Sequence, residues 1–134
     1  MRRGTRGQVV VESALAVTAF LVLLLGVLDF GRAFFTWQTL ATVSREGARW
    51  GIVHGADSGL SKGDAEKQGE AWVKNQFGQN LPAKAKVTFS FPNGTHEPGN
   101  PVRVKVESDF EPATPLLGKK KVKLQGVSEM HIIR

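Results

Sequence analysis

Cysteine is absent from this chain of 134 residues, and so are the motifs of common enzymes. Without cysteine the chain forms no disulfide and no cysteine-ligated metal site, although this absence does not fix the compartment, because many exported domains contain none. No Gly-x-Ser-x-Gly motif, phosphate-binding loop or paired-carboxylate constellation occurs. The histidines His54, His96 and His131 lack the spacing of metal ligands. We therefore expect no enzyme, no metal site and no bound cofactor.

Charge is nearly absent from Val9 to Leu28, where Glu12 is the only charged residue and thirteen of the twenty residues are Val, Leu or Phe. About twenty helical residues span the roughly 30 Å hydrocarbon layer of a bilayer. The apolar residues favour insertion by about 6 kcal/mol, whereas a charge at mid-helix costs only about 2.5 to 3.5 kcal/mol. The segment is therefore predicted to cross a membrane even with Glu12 ionised.

Arginines precede this segment, as they do in secretory signal peptides. The apolar run is longer than the usual h-region of about 7 to 15 residues, and it ends in Leu-Asp-Phe-Gly-Arg where a small-residue cleavage site would stand. We therefore interpret it as a retained single-pass anchor. Arg2, Arg3 and Arg6 place the amino terminus in the cytoplasm by the positive-inside rule, so that residues 29–134 are exported.

No proline interrupts residues 8–50, which favours one helix of about 43 residues, roughly 65 Å long. Beyond Leu28, apolar and small residues recur at helical spacing. They are Phe30, Ala33, Phe34, Trp37, Leu40, Ala41, Ser44 and Ala48. Such a stripe needs a cover, which is either the rest of this chain or neighbouring copies of it. Gly26, Gly31 and Gly47 would permit close helix contacts, as small residues do in membranes.

A second, shorter helix is predicted after a loop over Gly51–Leu60. Ser61 and Asp64 have capping-box spacing, and Gly78 suits a left-handed cap at the other end. The buried side is predicted to consist of Ala65, Gly69, Trp72, Val73 and Phe77.

The periodicity changes to two after Pro82, which predicts strands. "KVTFSF" and "VRVKVESDF" form a hairpin across a loop of about ten residues, in which Asn93-Gly94 is a turn signal rather than a glycosylation site. "KKKVKLQGVSEMHIIR" is a third strand that needs a bulge near Gly126 to bring Val127 onto the apolar face. The expected fold is α+β, with a three-stranded antiparallel sheet packed on the outer half of the long helix.

The position of Glu12 has a precedent. In type IV pilin-like proteins the leader ends in Gly and a Glu stands at the fifth mature position, as Gly7 and Glu12 do here. "FGRAFFTWQTLATVSREGARWG" resembles the TadE-like branch of the tight-adherence pilus system. The resemblance implies a prepilin-type leader over residues 1–7, processing between Gly7 and Gln8, and an assembly role for Glu12.

The resemblance further implies a transmembrane assembly helix over residues 8–28 and an exported head over residues 29–134. Ser13 departs from the Tyr that often follows the glutamate in processed tight-adherence pilins. The major pilin of that system is much shorter and has no head, so the minor branch fits better. Glu12 could instead be a carboxylate that merely reaches the headgroups.

Four residues beyond the span are candidates for the helix interface. Asp29 and Arg32 are three apart and are expected to form an interfacial pair, while Phe34 and Trp37 are expected to cover the sheet. Lys119–Lys121 are interpreted as a solvated strand entry, not as a site for nucleic acid or anionic lipid.

The leading hypothesis is a TadE-like minor pilin with other pilin subunits, a prepilin peptidase and the bacterial inner membrane as partners. It would reside in that membrane or in an extracellular filament, and we expect no nucleic-acid partner. The alternative hypothesis is a permanently anchored extracytoplasmic binding module that is neither cleaved nor polymerised.

Overall fold

The computed structural model describes residues 4–55, 59–114 and 120–133. In chain order the elements are helices α1 (Gly4–His54) and α2 (Lys62–Phe77) and strands β1 (Lys86–Ser90), β2 (Pro101–Phe110) and β3 (Val122–His131). The strands form one antiparallel sheet in the order β1-β2-β3. The predicted α+β fold, with a long amino-terminal helix, a short second helix and a three-stranded sheet packed on the first, is confirmed.

Helix α1 has 51 residues and is therefore about 76 Å long. It is longer than predicted at both ends, and the loop expected from Gly51 begins only after His54. The last turn stays helical because it is tied to the sheet: the backbone N–H of Ile133 donates to the carbonyl of Ile52 at 3.3 Å. This carbonyl is one of the terminal four that have no partner within a helix.

The core lies between the far half of α1, helix α2 and one face of the sheet. Helix α1 packs on β2 and β3, whereas α2 packs on β1. Strand alternation sends every second residue of β1 and β2 inward, as predicted. The buried apolar side chains are Leu40, Val43, Ala48, Ala65, Val73, Val87, Phe89, Phe91, Val102, Val104, Val106 and Ile132.

Helix α2 begins at the predicted cap. The N–H of Asp64 donates to the Ser61 hydroxyl oxygen at 3.4 Å, and that hydroxyl donates to the Asp64 carboxylate at 2.6 Å. The left-handed cap predicted at Gly78 is wrong, because this residue has right-handed helical angles, φ −56° and ψ −33°. The chain continues to turn here, and the N–H groups of Asn80 and Leu81 both donate to the carbonyl of Phe77.

The predicted hairpin is confirmed, with a loop over residues 91–100. Gly94 has φ +81°, and its N–H donates to the carbonyl of Phe91 at 3.0 Å, which confirms the turn.

The bulge predicted near Gly126 is wrong. The register between β2 and β3 is unbroken from the Pro101–His131 pair to the Phe110–Val122 pair. Val127 therefore faces outward and is half exposed, while Gly126 faces α1. A Cβ on Gly126 would lie 2.4 Å from the backbone carbonyl atoms of Leu40. The glycine thus lets the helix backbone rest directly on the sheet.

Candidate assembly surface

The residues expected at the processing site lie in the first turns of α1. Gly7 is helical, and a Cβ added to it would meet nothing within 4 Å. Gln8 and Glu12 are both exposed. Among the described residues, Glu12 forms no ion pair. The structure thus presents these three residues on an open helix and brings none of them to the head.

The apolar residues that follow are uncovered on every side of the helix. Within the described part of the chain, α1 is the one helix long and apolar enough to cross a membrane, and none of its most apolar stretch is buried. The exposed large side chains of this stretch are Val9, Val10, Val11, Leu15, Val17, Phe20, Leu21, Val22, Leu23, Leu24, Leu25, Val27 and Leu28. Nothing in the described part of the chain covers them, and lipid or another molecule would be a suitable cover.

The exposed apolar surface continues past Leu28 as an aromatic stripe. Phe30 stacks on Phe34 with ring centroids 6.3 Å apart, and Phe34 lies 6.0 Å from Trp37. Phe34 and Trp37 are 43% and 47% exposed, so the expectation that they cover the sheet is wrong. The covered side of α1 runs instead through Asp29 and Leu40, and at 3.6 residues per turn Phe34 lies about 120° from Leu40 around the helix.

Asp29 is the buried polar residue at the start of the head. Its carboxylate accepts hydrogen bonds from the backbone N–H groups of Ala113 and Thr114, at 2.9 and 2.8 Å, and from the Thr114 hydroxyl. The expected pair with Arg32 is present at 3.3 Å. Asp29 therefore fixes the segment after β2 to the helix, directly beyond the apolar stretch.

The electrostatics of this contact favour the ionised carboxylate. The hydrogen bond from the Thr114 hydroxyl, with those from the Ala113 and Thr114 N–H groups, lowers the pKa of Asp29 below its ordinary value of 3.8. Burial acts in the opposite direction, and the Arg32 charge adds to the lowering. The Arg32 guanidinium also lies over the Phe110 ring, 5.6 Å from its centroid.

Sequence reasoning missed the partners of Asp29. Ala113 and Thr114 are 84 and 85 residues away from it, and neither has a local signal that would identify it as a donor to a carboxylate.

The three histidines lie apart. The His54 ring stacks on Trp50 at 4.8 Å, the His96 ring lies 5.9 Å from Phe91, and His131 is exposed at the end of β3. No group of three or more metal-ligating side chains occurs in residues 4–55, 59–114 or 120–133.

The comparisons with known proteins agree with the motifs in α1. The family model described as TadE-like protein matches residues 7–49. No curated protein and no solved structure matches the chain. A place in the type IV pilin-like superfamily is consistent with the match. The match covers about a third of the chain, and it includes Gly7, Glu12 and all but the last two residues of the stretch from Phe30 to Gly51, so this part of α1 is similar to TadE-like proteins.

Proposed function

We propose that this chain is a minor pilin of a tight-adherence type IV pilus or a related filament. TadE-like proteins are structural pilus components rather than enzymes, and the family implies association with pilus components. The observation that carries the proposal is the uncovered first half of α1, where apolar residues on every side surround the single carboxylate of Glu12. A surface of this kind suits lipid before assembly and neighbouring subunits after it.

The proposed pathway begins at the cytoplasmic face of the bacterial inner membrane. A prepilin peptidase removes residues 1–7 by cutting after Gly7, which frees a charged amine on Gln8. The helix then leaves the membrane for a filament, where apolar segments pack side by side without lipid or much water. An ionised Glu12 would there be an uncompensated buried charge, and the amine of a neighbouring Gln8 neutralises it.

The exposed aromatic stripe supports contact with other subunits. Phe30, Phe34 and Trp37 continue the apolar surface of the span, and the head of the same chain leaves them open. The presence of a head favours the minor branch, since the major pilin of the tight-adherence system has no head.

Three variants test this function. Gly7→Asp is expected to leave the chain unprocessed, and since nothing lies within 4 Å of that position the fold is undisturbed. Glu12→Ala is expected to be processed, inserted and stable but poorly assembled, because losing one partner of a buried ion pair costs about 3 to 5 kcal/mol. Thr18→Ala is the matched control, since the Thr18 hydroxyl donates to the backbone carbonyl of Ala14 in the same helix at 2.8 Å.

The measurements are intact mass from membranes and the amount of each variant in sheared extracellular material. Wild type and Thr18→Ala should lack residues 1–7 and appear in the sheared material. An unprocessed wild type, or Glu12→Ala that assembles like wild type, would contradict the proposal and favour the permanently anchored binding module.

A further inference from the structure

The end of the head nearest the apolar stretch is rich in cations. Strand β2 ends at Phe110, beside Arg32, and its neighbours β1 and β3 both begin at this level, since Lys86 pairs with Glu107 and Val122 with Phe110. We call this region the basal end and define it by its exposed cations. They are Arg32, Lys84, Lys86, Lys120, Lys121 and Lys123.

Acidic residues at the basal end neutralise only part of this charge. Lys121 pairs with Glu111 at 3.1 Å, and Glu107 pairs with Lys105 higher on the sheet at 2.6 Å. Asp109 is the third exposed or half-exposed acid there. Among the residues that the structure describes, six cations against three acids leave an excess of three positive charges, or two if the buried Asp29 is counted.

The contacts of α1 show how far the basal end lies from the apolar stretch, measured along the helix from Leu28. Arg32 and Thr36 are four and eight residues past Leu28, which places them about 6 and 12 Å beyond the apolar stretch. An open groove of about 340 Å³ is lined by both of them and by Lys84, so this lysine lies at the same height. The Asp29 contacts hold Ala113 and Thr114, the residues shortly after β2, lower still.

A lipid headgroup layer occupies that height. It extends about 5 to 8 Å beyond the hydrocarbon on each side, and electrostatic attraction reaches a further 8 Å or so at physiological salt. Long lysine side chains add to this reach.

We propose that the basal end binds the anionic headgroups of the leaflet on its own side of the membrane. Lys84, Lys120 and Lys123 supply the attraction, since no described acid forms an ion pair with them. The inference rests on the membrane insertion that the proposed function requires, but on neither cleavage nor polymerisation. It assigns Lys84, Lys120 and Lys123 a lipid surface as their partner, and so departs from the interpretation of Lys119–Lys121 as a solvated strand entry, of which Lys119 lies outside the described residues.

The test uses the full chain in nanodiscs of phosphatidylcholine alone or mixed with phosphatidylglycerol. The chain is treated with an amine-reactive label, and mass spectrometry measures the labelling rate of each lysine. The label does not react with the arginines of the leader. Lys84, Lys120 and Lys123 should label about five-fold more slowly in the anionic nanodiscs, and high salt should remove the difference. Lys67 and Lys74 are internal controls, because Val73 lies against Gly47, about 28 Å past Leu28.

A matched pair of triple variants makes a second measurement. Lys84→Gln/Lys120→Gln/Lys123→Gln should retain less phosphatidylglycerol than wild type on detergent extraction, whereas Lys62→Gln/Lys67→Gln/Lys74→Gln should retain as much. Equal labelling of an inserted chain in both lipids would overturn this inference and leave the proposed function standing. A chain that resists insertion would overturn both.

Discussion

The near and far halves of α1 place their glycines in opposite surroundings. A Cβ on Gly26 or Gly31 would meet nothing within 4 Å. On Gly47 it would lie 3.0 to 3.1 Å from Val73 and Val104, and on Gly51 it would lie 2.7 Å from the Phe89 ring. The far glycines are thus explained by the packing of this chain, whereas a Cβ at the near ones would contact no residue that the structure describes.

The large apolar side chains follow the same division. Leu40 and Val43 are buried under the sheet, while Phe30 and Phe35 are each 72% exposed. One continuous helix therefore has a half whose sequence its own fold explains and a half that only lipid or another subunit would explain. The comparison shows that folding of the head and assembly are separate demands on one helix. The two halves meet between Asp29, which the head already covers, and Leu40, where the apolar core begins.

The largest difference between the halves should appear in side-chain truncation. Leu40→Ala is expected to lower the free energy of unfolding of the head by about 2 to 5 kcal/mol, because Leu40 is fully buried. Phe34→Ala, in the near half, is expected to change it by less than about 1 kcal/mol. Chemical unfolding in detergent, followed by the fluorescence of the stacked pair Trp50 and Trp72, measures both. If both variants lost the same free energy of unfolding, the proposed difference between the two halves of α1 would be wrong.

A smaller effect is expected where the helix backbone meets the sheet. Gly126→Ala would force a methyl group against the Leu40 carbonyl and should cost about 1 to 3 kcal/mol of head stability. Gly31→Ala should not lower stability, because its methyl group meets nothing and alanine favours a helix. The same unfolding assay applies, and a Gly126→Ala head as stable as wild type would show that the close approach is not required.

The smallest effect should be the pH dependence at Asp29, which lies where the two halves meet. Since the pKa of its carboxyl is lower in the folded state, its stabilising effect is complete above the unfolded value of 3.8 and is lost as the pH falls through the folded value. Asp29→Asn should therefore have a lower melting temperature than wild type at pH 7. The difference should shrink as the pH falls below 3.8.

Asn replaces one of the two accepting oxygens by an NH2 donor, so it removes the charge together with one acceptor for the backbone N–H groups of Ala113 and Thr114; only the pH-dependent part of the difference reports the charge. Melting curves for both proteins at several pH values provide the measurement. A difference that stays constant down to the acid limit would mean that the Asp29 charge does not hold the segment after β2.

Local patterns predicted most elements of the head, because each one depends on neighbouring residues. The Ser61 cap and the turn at Gly94 are examples in which the groups involved lie within a few positions of one another. Predictions failed where a distant contact decided the outcome. Alternation alone could not show that Gly126 admits the helix backbone, so a bulge was expected in its place.

The candidate assembly surface divides in the same way. The apolar stretch, Glu12 and the Asp29–Arg32 pair follow from spacing along one helix. The exposure of Phe34 and Trp37 did not, because apolar spacing alone could not show which side of the helix the rest of the chain covers.

The sequence by itself determined that a charge-poor helix precedes a small α+β head, because hydrophobic period and length are properties of consecutive residues. Only the tertiary structure decided that Asp29 holds Thr114 and that the apolar core on α1 begins at Leu40. Those contacts join residues far apart in the chain, and the packing of specific side chains selects them.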